Sequence, residues 1–133
     1  ELEAGDEGQF TTREVVEREI AGLQSLSQCP QILQASVAAS AVSDELLLVM
    51  ELCEHGSVTD IMRKLQAPLT EDETRITVRE ALRGLAYLHR SGKVHGELKS
   101  TNVLITRDFQ PKLSDIGLSR LPLRHSPDSR RVA

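Results

Sequence analysis

The chain has 133 residues and a formal net charge of −4. That is the length of one small domain, and its acidic balance argues against a general electrostatic attraction to nucleic acid or an anionic membrane. Apolar residues make up 39% of it, but the aromatics are only Phe10, Tyr87 and Phe109, so the core has to be built from Leu, Val, Ile and Ala. Cys29 and Cys53 have neither a metal-ligand spacing nor a disulfide framework. No apolar stretch approaches the roughly 20 residues of a membrane span, and nothing at the N-terminus reads as a secretion signal. The expectation is a soluble, cytoplasmic chain with reduced thiols.

Residues 1–12 are acidic and non-periodic and are expected to form a flexible arm, with Thr11 or Thr12 as a helix N-cap. From Arg13 to about Leu26, Val16, Ile20 and Leu23 recur at helical spacing, and Cys29-Pro30 ends the helix. Residues 31–42 and the run Leu46 to Met50 read as two strands of an antiparallel hairpin, with Ser43-Asp44-Glu45 as its turn. Ser57 and Asp60 form a capping signal for a short helix through Leu65. The next helix has a stronger signature. Thr70 and Glu73 make a capping box, Ile76, Leu82, Leu85 and Leu88 with Val78 and Ala81 form a broad apolar face, and Gly92 supplies the stop. Short strands are expected around Val94, at Val103 to Ile105 and at Lys112-Leu113, with an Arg107-Asp108 turn between the last two. Beyond Leu118, Ser, Pro and Arg dominate, which predicts a solvated segment in which Ser126 and Ser129 are candidate phosphoacceptors.

Three pieces follow the long helix in fixed order. His95-Gly96-Glu97-Leu98-Lys99 and then Asn102 lie on a loop between strands, and Asp115-Ile116-Gly117 follows the Lys112-Leu113 strand. Phosphoryl transfer depends on positioning. It needs a carboxylate for the substrate hydroxyl, a cation for the transferred group and oxygen ligands for Mg²⁺. A loop-strand-turn-strand unit brings Glu97, Lys99, Asn102 and Asp115 to one cleft.

From Arg13 to Leu121 the chain resembles the middle of a eukaryotic protein kinase domain of the sterile-twenty (germinal-centre) serine/threonine group. VVEREIAGLQSL is similar to the regulatory helix, with Glu19 at its ion-pairing position. LLLVMELCEHGSVTDIM is similar to the fifth strand, hinge and following helix, with Met50 as gatekeeper and Glu51 to Cys53 as the hinge. LTEDETRITVREALRGLAYLHRSGKVHGELKSTNVLI resembles the long helix and catalytic loop, and PKLSDIGLSRL the metal-binding turn. The resemblance implies an α+β fold in four parts. These are the arm 1–12, a partial N-lobe 13–53, a partial C-lobe 54–121, and a flexible start of the activation segment 122–133. It implies Glu97 and Lys99 as catalytic residues, with Asn102 and Asp115 as Mg²⁺ ligands. Met50, Glu51, Cys53, Leu104 and Glu19 form the implied ATP-binding set, and His95 is implied to be a packed residue.

The departures from the family pattern are specific. Glu97 stands in place of the catalytic Asp, Gly96 in place of the neighbouring Arg, and Ile116 in place of the Phe after the metal-binding Asp. Gly5 and Gly8 flank Asp6-Glu7, whose charge repels phosphate, and no Lys precedes Lys64. Glu19 is therefore expected to lack the family-type Lys partner, with Arg13 or Arg18 as surface alternatives. The expectation is a catalytically impaired kinase-like module that contacts a protein partner or another kinase domain. The alternative is part of an active serine/threonine kinase with Glu97 as its base.

Overall fold

The computed structural model describes residues 12–39 and 46–116. The acidic arm up to Thr11, the Ser43-Asp44-Glu45 turn, Gly117 and the Arg-rich tail lie outside the described residues. The fold is α+β. Helix α1, Thr12–Gln24, leads through a loop to strands β1, Ala35–Ala39, and β2, Leu46–Met50, which pair antiparallel. A two-residue strand β3, Gly56–Ser57, then enters helix α2, Val58–Leu65, and the long helix α3, Glu71–Arg90. A 3₁₀ turn, Ser100–Asn102, precedes β4, Val103–Ile105, and β5, Pro111–Leu113, which form a three-stranded sheet in the order β3-β4-β5.

Local chemistry explains the helix boundaries. In α2 the Ser57 hydroxyl accepts the Asp60 N–H at 3.1 Å while the Asp60 carboxylate accepts the Ser57 N–H at 2.8 Å. The same reciprocal box starts α3, where Glu73 accepts the Thr70 N–H at 2.8 Å and Thr70 accepts the Glu73 N–H at 3.3 Å. Each satisfies main-chain donors that a helix start leaves without partners. The main-chain donors also hold the Asp60 and Glu73 carboxyls below their usual range. Helix α3 stops at Gly92, whose φ of +69° suits a residue without Cβ. The Gly92 N–H bonds the His89 carbonyl and the Lys93 N–H bonds the Leu88 carbonyl, which is the Schellman pattern.

The core joins Leu26 and Ile32 from the loop after α1 to Val58, Ala81, Leu88, Val103, Ile105, Leu113 and Ile116. A smaller cluster of Val16 and Ile20 seats α1 on Leu48 of β2, and Leu23 packs against both clusters. Ile116 is 5% exposed, so the residue replacing the family's Phe fills the core on which Leu23 packs. The loop after α1 also docks through its main chain. The Leu113 N–H donates to the Gln31 carbonyl at 2.8 Å, and the Leu33 N–H donates to the Leu113 carbonyl at 2.9 Å.

Two expectations need correction. Val94 lies outside the strands and is exposed, because the Schellman turn releases the chain into the loop 95–99 before any strand partner is reached. The buried stripe of α3 is Ala81, Gly84 and Leu88 with Leu85 against it, while Ile76, Val78 and Leu82 are exposed. At about 100° per residue, Leu82 lies roughly 100° and Ile76 roughly 140° around the helix from Ala81. Arg13 pairs with Glu17 one turn away at 3.0 Å.

Candidate active site

The site is assembled around the β4–β5 pair. Leu104 of β4 lies opposite Lys112 of β5, and the pairing continues one step as the Ser114 N–H donates to the Asn102 carbonyl at 2.9 Å. The main-chain bond places Asn102, at the entry to β4, beside the residue before Asp115. Asn102 is buried, and its Nδ2 donates to the Glu97 carbonyl at 2.9 Å. That bond commits the amide nitrogen to the loop and turns the amide oxygen, an acceptor, to the other side. Asp115 adopts φ +57°, a left-handed conformation that Asp tolerates better than most residues.

Glu97 and Lys99 form an ion pair at the half-exposed mouth of the loop. The Glu97 N–H donates to His95 Nδ1 at 3.3 Å. His95 is only 3% exposed, and burial pushes its imidazole below its ordinary pKa against the pull of the Ser114 main chain and the Asp115 carboxylate. With Nδ1 accepting, the neutral ring carries its proton on Nε2, which finds no hydrogen-bond partner among the described residues. His95 is therefore a packed residue whose Nδ1 receives the Glu97 N–H. Gly96 has φ +83°, a backbone conformation that any side chain would strain.

Glu97, Lys99 and Asn102 are thus linked by direct contacts, and Asp115 follows Ser114, whose main chain Asn102 holds. The other sequence-derived candidates lie elsewhere. Met50 closes β2 half-exposed and, with Glu51, Gln24, Ser27 and Gln34, lines an open groove of about 540 Å³. Cys53 follows the hinge residue Glu51, and its thiol is pushed up to about 11, chiefly by burial and then by the Glu51 carboxylate. Leu104 is half-buried on the sheet face opposite the core. Glu19 stands exposed on α1.

The sequence reading missed several polar contacts. Lys112 bonds Glu51 at 2.7 Å. Gln31 Nε2 donates to Glu80 at 2.9 Å, and buried Glu80 also pairs with Arg79 and Arg83. At the turn between β4 and β5, Phe109 stacks on His55 with ring centroids 4.3 Å apart. The available signal at Lys112 was a lone charge between Pro111 and Leu113.

Asn102 and Asp115 offer hard oxygen donors of the kind Mg²⁺ takes. They fit as a partial shell, because among the described residues no cluster of three or more His, Cys, Asp or Glu is placed to hold a metal ion. The rest of such a shell is left to phosphate oxygens and water.

Comparison with known proteins identifies the family. The family described as "Protein kinase domain" matches residues 3–132. Serine/threonine-protein kinase dst2 of Dictyostelium discoideum is 44% identical over 78 residues, covering 59% of this chain and 7% of the relative. Serine/threonine-protein kinase cst-1 of Caenorhabditis elegans is 43% identical over 75 residues, covering 56% of this chain and 15% of the relative. Serine/threonine-protein kinase dst4 of Dictyostelium discoideum is 33% identical over 106 residues, covering 80% of this chain and 22% of the relative. The chain thus spans less than a quarter of the length of these relatives. No described helix is long and apolar enough to cross a membrane. The chain belongs to the protein kinase domain family, and the relatives it resembles are serine/threonine-protein kinases.

Proposed function

We propose that this chain carries the catalytic loop and metal-binding turn of a serine/threonine protein kinase whose phosphoryl-transfer step is strongly slowed. One observation supports the reading above the others. Glu97 stands where the family places Asp, and its longer side chain ends in an ion pair with Lys99. The extra methylene displaces the basic oxygen by about 1 Å, and a misplacement of that size costs on the order of 100-fold in rate.

In this reading Glu97 accepts the proton of a substrate Ser or Thr hydroxyl, and Lys99 balances the charge that develops beside it. Asn102 and Asp115 would hold Mg²⁺ against the nucleotide phosphates, with Glu51 to Cys53 and Leu104 flanking the base. MgATP, when bound, supplies the phosphoryl group. With transfer slow, contact with a protein partner becomes the chain's main role, supported by exposed Leu47, Val49 and Leu52 at β2 and the hinge.

A second reading, an active kinase that tolerates Glu97, is favoured by the bond from Asn102 to the Glu97 carbonyl. Phosphate transfer from ATP to a basic protein separates the two. The slowed reading expects Glu97→Asp to turn over about 100-fold faster than the native chain. An ordinary kinase rate of roughly 1–100 s⁻¹ in the native chain, abolished by Glu97→Ala, establishes the active reading instead.

A further inference from the structure

The phosphoryl-transfer chemistry makes no use of Lys93, yet its ammonium reaches across to a different element. A Cβ built at Gly22 of α1 would lie 2.8 Å from Lys93 Nζ and 3.6 Å from Lys93 Cε. The ammonium therefore occupies room that only glycine leaves open. Both residues are half-buried. The stem of Lys93 leaves from a fixed point, because the Lys93 N–H donates to the Leu88 carbonyl at 2.9 Å in the Schellman turn that ends α3. Val94 and His95 follow, and Glu97 is four residues beyond Lys93.

What receives the charge is the carbonyl end of a helix. Gly22 belongs to the last turn of α1, which holds no basic residue of its own. The Gly22 carbonyl already accepts the Ser25 hydroxyl at 2.6 Å, and the Ala21 carbonyl accepts the Ser25 N–H at 3.2 Å. The attraction expected of Lys93 is therefore to the summed dipole of the turn, whose negative end lies here. Arg18 and Glu19, one turn before Gly22, carry opposite charges, so their fields at the seat largely offset. Leu23, next to Gly22, packs against both apolar clusters, and the Lys93 contact adds a polar tie beside it.

We propose that Lys93 is a positioning residue, whose ammonium, seated at Gly22, supplies the cation missing from the end of α1 and holds that end against the entry to the loop 95–99. It acts through the loop and not on the reacting atoms. That the loop is catalytic rests on the proposed function. The seat is a property of the folded chain without ligand, so it stands or falls separately from phosphoryl transfer.

The experiment is hydrogen–deuterium exchange of the full chain without nucleotide, read amide by amide by NMR. The reporters of the seat are the amides of Ser25, Leu26 and Ser27, which bond the carbonyls of Ala21, Leu23 and Gln24. The loop is reported by the Glu97 amide, which donates to His95 Nδ1, and the core by the Leu113 amide, which donates to the Gln31 carbonyl. Lys93→Met keeps the stem and removes the charge. It is expected to speed exchange at 25–27 and at Glu97 by about two- to fivefold, the size of one cation's effect at a helix end, and to leave Leu113 unchanged. Lys93→Arg should retain the slow rates. Raising NaCl to about 1 M, where the screening length is about 3 Å, should speed the same amides in the native chain toward the Lys93→Met rates. Unchanged exchange at 25–27 in Lys93→Met overturns the proposal, as does acceleration there that leaves Glu97 untouched. Equal acceleration at Leu113 overturns it too, because that outcome means general unfolding. A Lys93→Arg chain that exchanges like Lys93→Met, or a native chain indifferent to salt, also overturns it, since either result removes the charge as the cause.

Discussion

Gly84 faces the tightest approach between α3 and β5, and replacing it with Ala sets two known effects against each other. A Cβ built at Gly84 would lie 2.8 Å from Leu113 Cδ1, 3.2 Å from Leu113 Cγ and 3.3 Å from Gln31 Cβ. Leu113 is 1% exposed and held by main-chain bonds on both sides, so it cannot retreat without moving β5. Ala gains about 1 kcal/mol of helix propensity over Gly, while overpacking of this kind costs typically 1–3 kcal/mol. The net expectation is a loss of about 1 kcal/mol, which for the cooperative unit formed here corresponds to a Tm lowered by roughly 4–8 °C. The assay is thermal denaturation followed by circular dichroism. Ala86→Gly, at an exposed position of the same helix, measures the propensity contribution by itself. A Gly84→Ala chain that gains about as much stability as Ala86→Gly loses would refute the close-packing argument.

Two further predictions follow from other parts of the structure. The Glu80 carboxyl is held below its ordinary pKa, first by the Gln31 hydrogen bond and then by Arg79 and Arg83. A depressed carboxyl stabilises the fold above its unfolded pKa, and that stability is lost as pH falls through the folded value. Urea denaturation should accordingly show Glu80→Gln less stable than the native chain at pH 7, with the gap closing on acidification below about pH 4; a gap that widens there contradicts the sign. Leu47 and Val49 are about half exposed on β2, so the isolated chain should self-associate in sedimentation at rising concentration. Leu47→Lys with Val49→Thr should shift it toward monomer, and a native chain that stays monomeric throughout counts against an interaction surface there.

The parts of the fold legible in the sequence were those governed by local chemistry. Ser57 with Asp60, Thr70 with Glu73, and Gly92 each act within a few residues, so the pattern alone placed both capped helices and the stop. The hairpin of β1 and β2 was legible for the same reason, since its two runs are adjacent in sequence. What escaped was set by distance. Nothing near Lys112 announces Glu51, 61 residues away, and nothing near Gln31 announces Glu80, 49 residues away. The apolar face of α3 was read too broadly because periodicity shows which residues can share a face but not how wide a face β5 and the core cover. The spacing pointed to Glu97, Lys99 and Asn102 as neighbours, whereas the Asn102 contact with the Glu97 carbonyl required the backbone path of the 3₁₀ turn.

The central claim is that the extra methylene at Glu97 limits the chemistry of a site otherwise arranged for phosphoryl transfer. The most direct measurement compares transfer from radiolabelled ATP, with Mg²⁺, by the native chain and by Glu97→Asp, at equal folded concentration. The account expects the Asp variant to be faster by on the order of 100-fold, equivalent to about 2.7 kcal/mol of transition-state stabilisation. Equal rates in the two chains, at any level including none, contradict it.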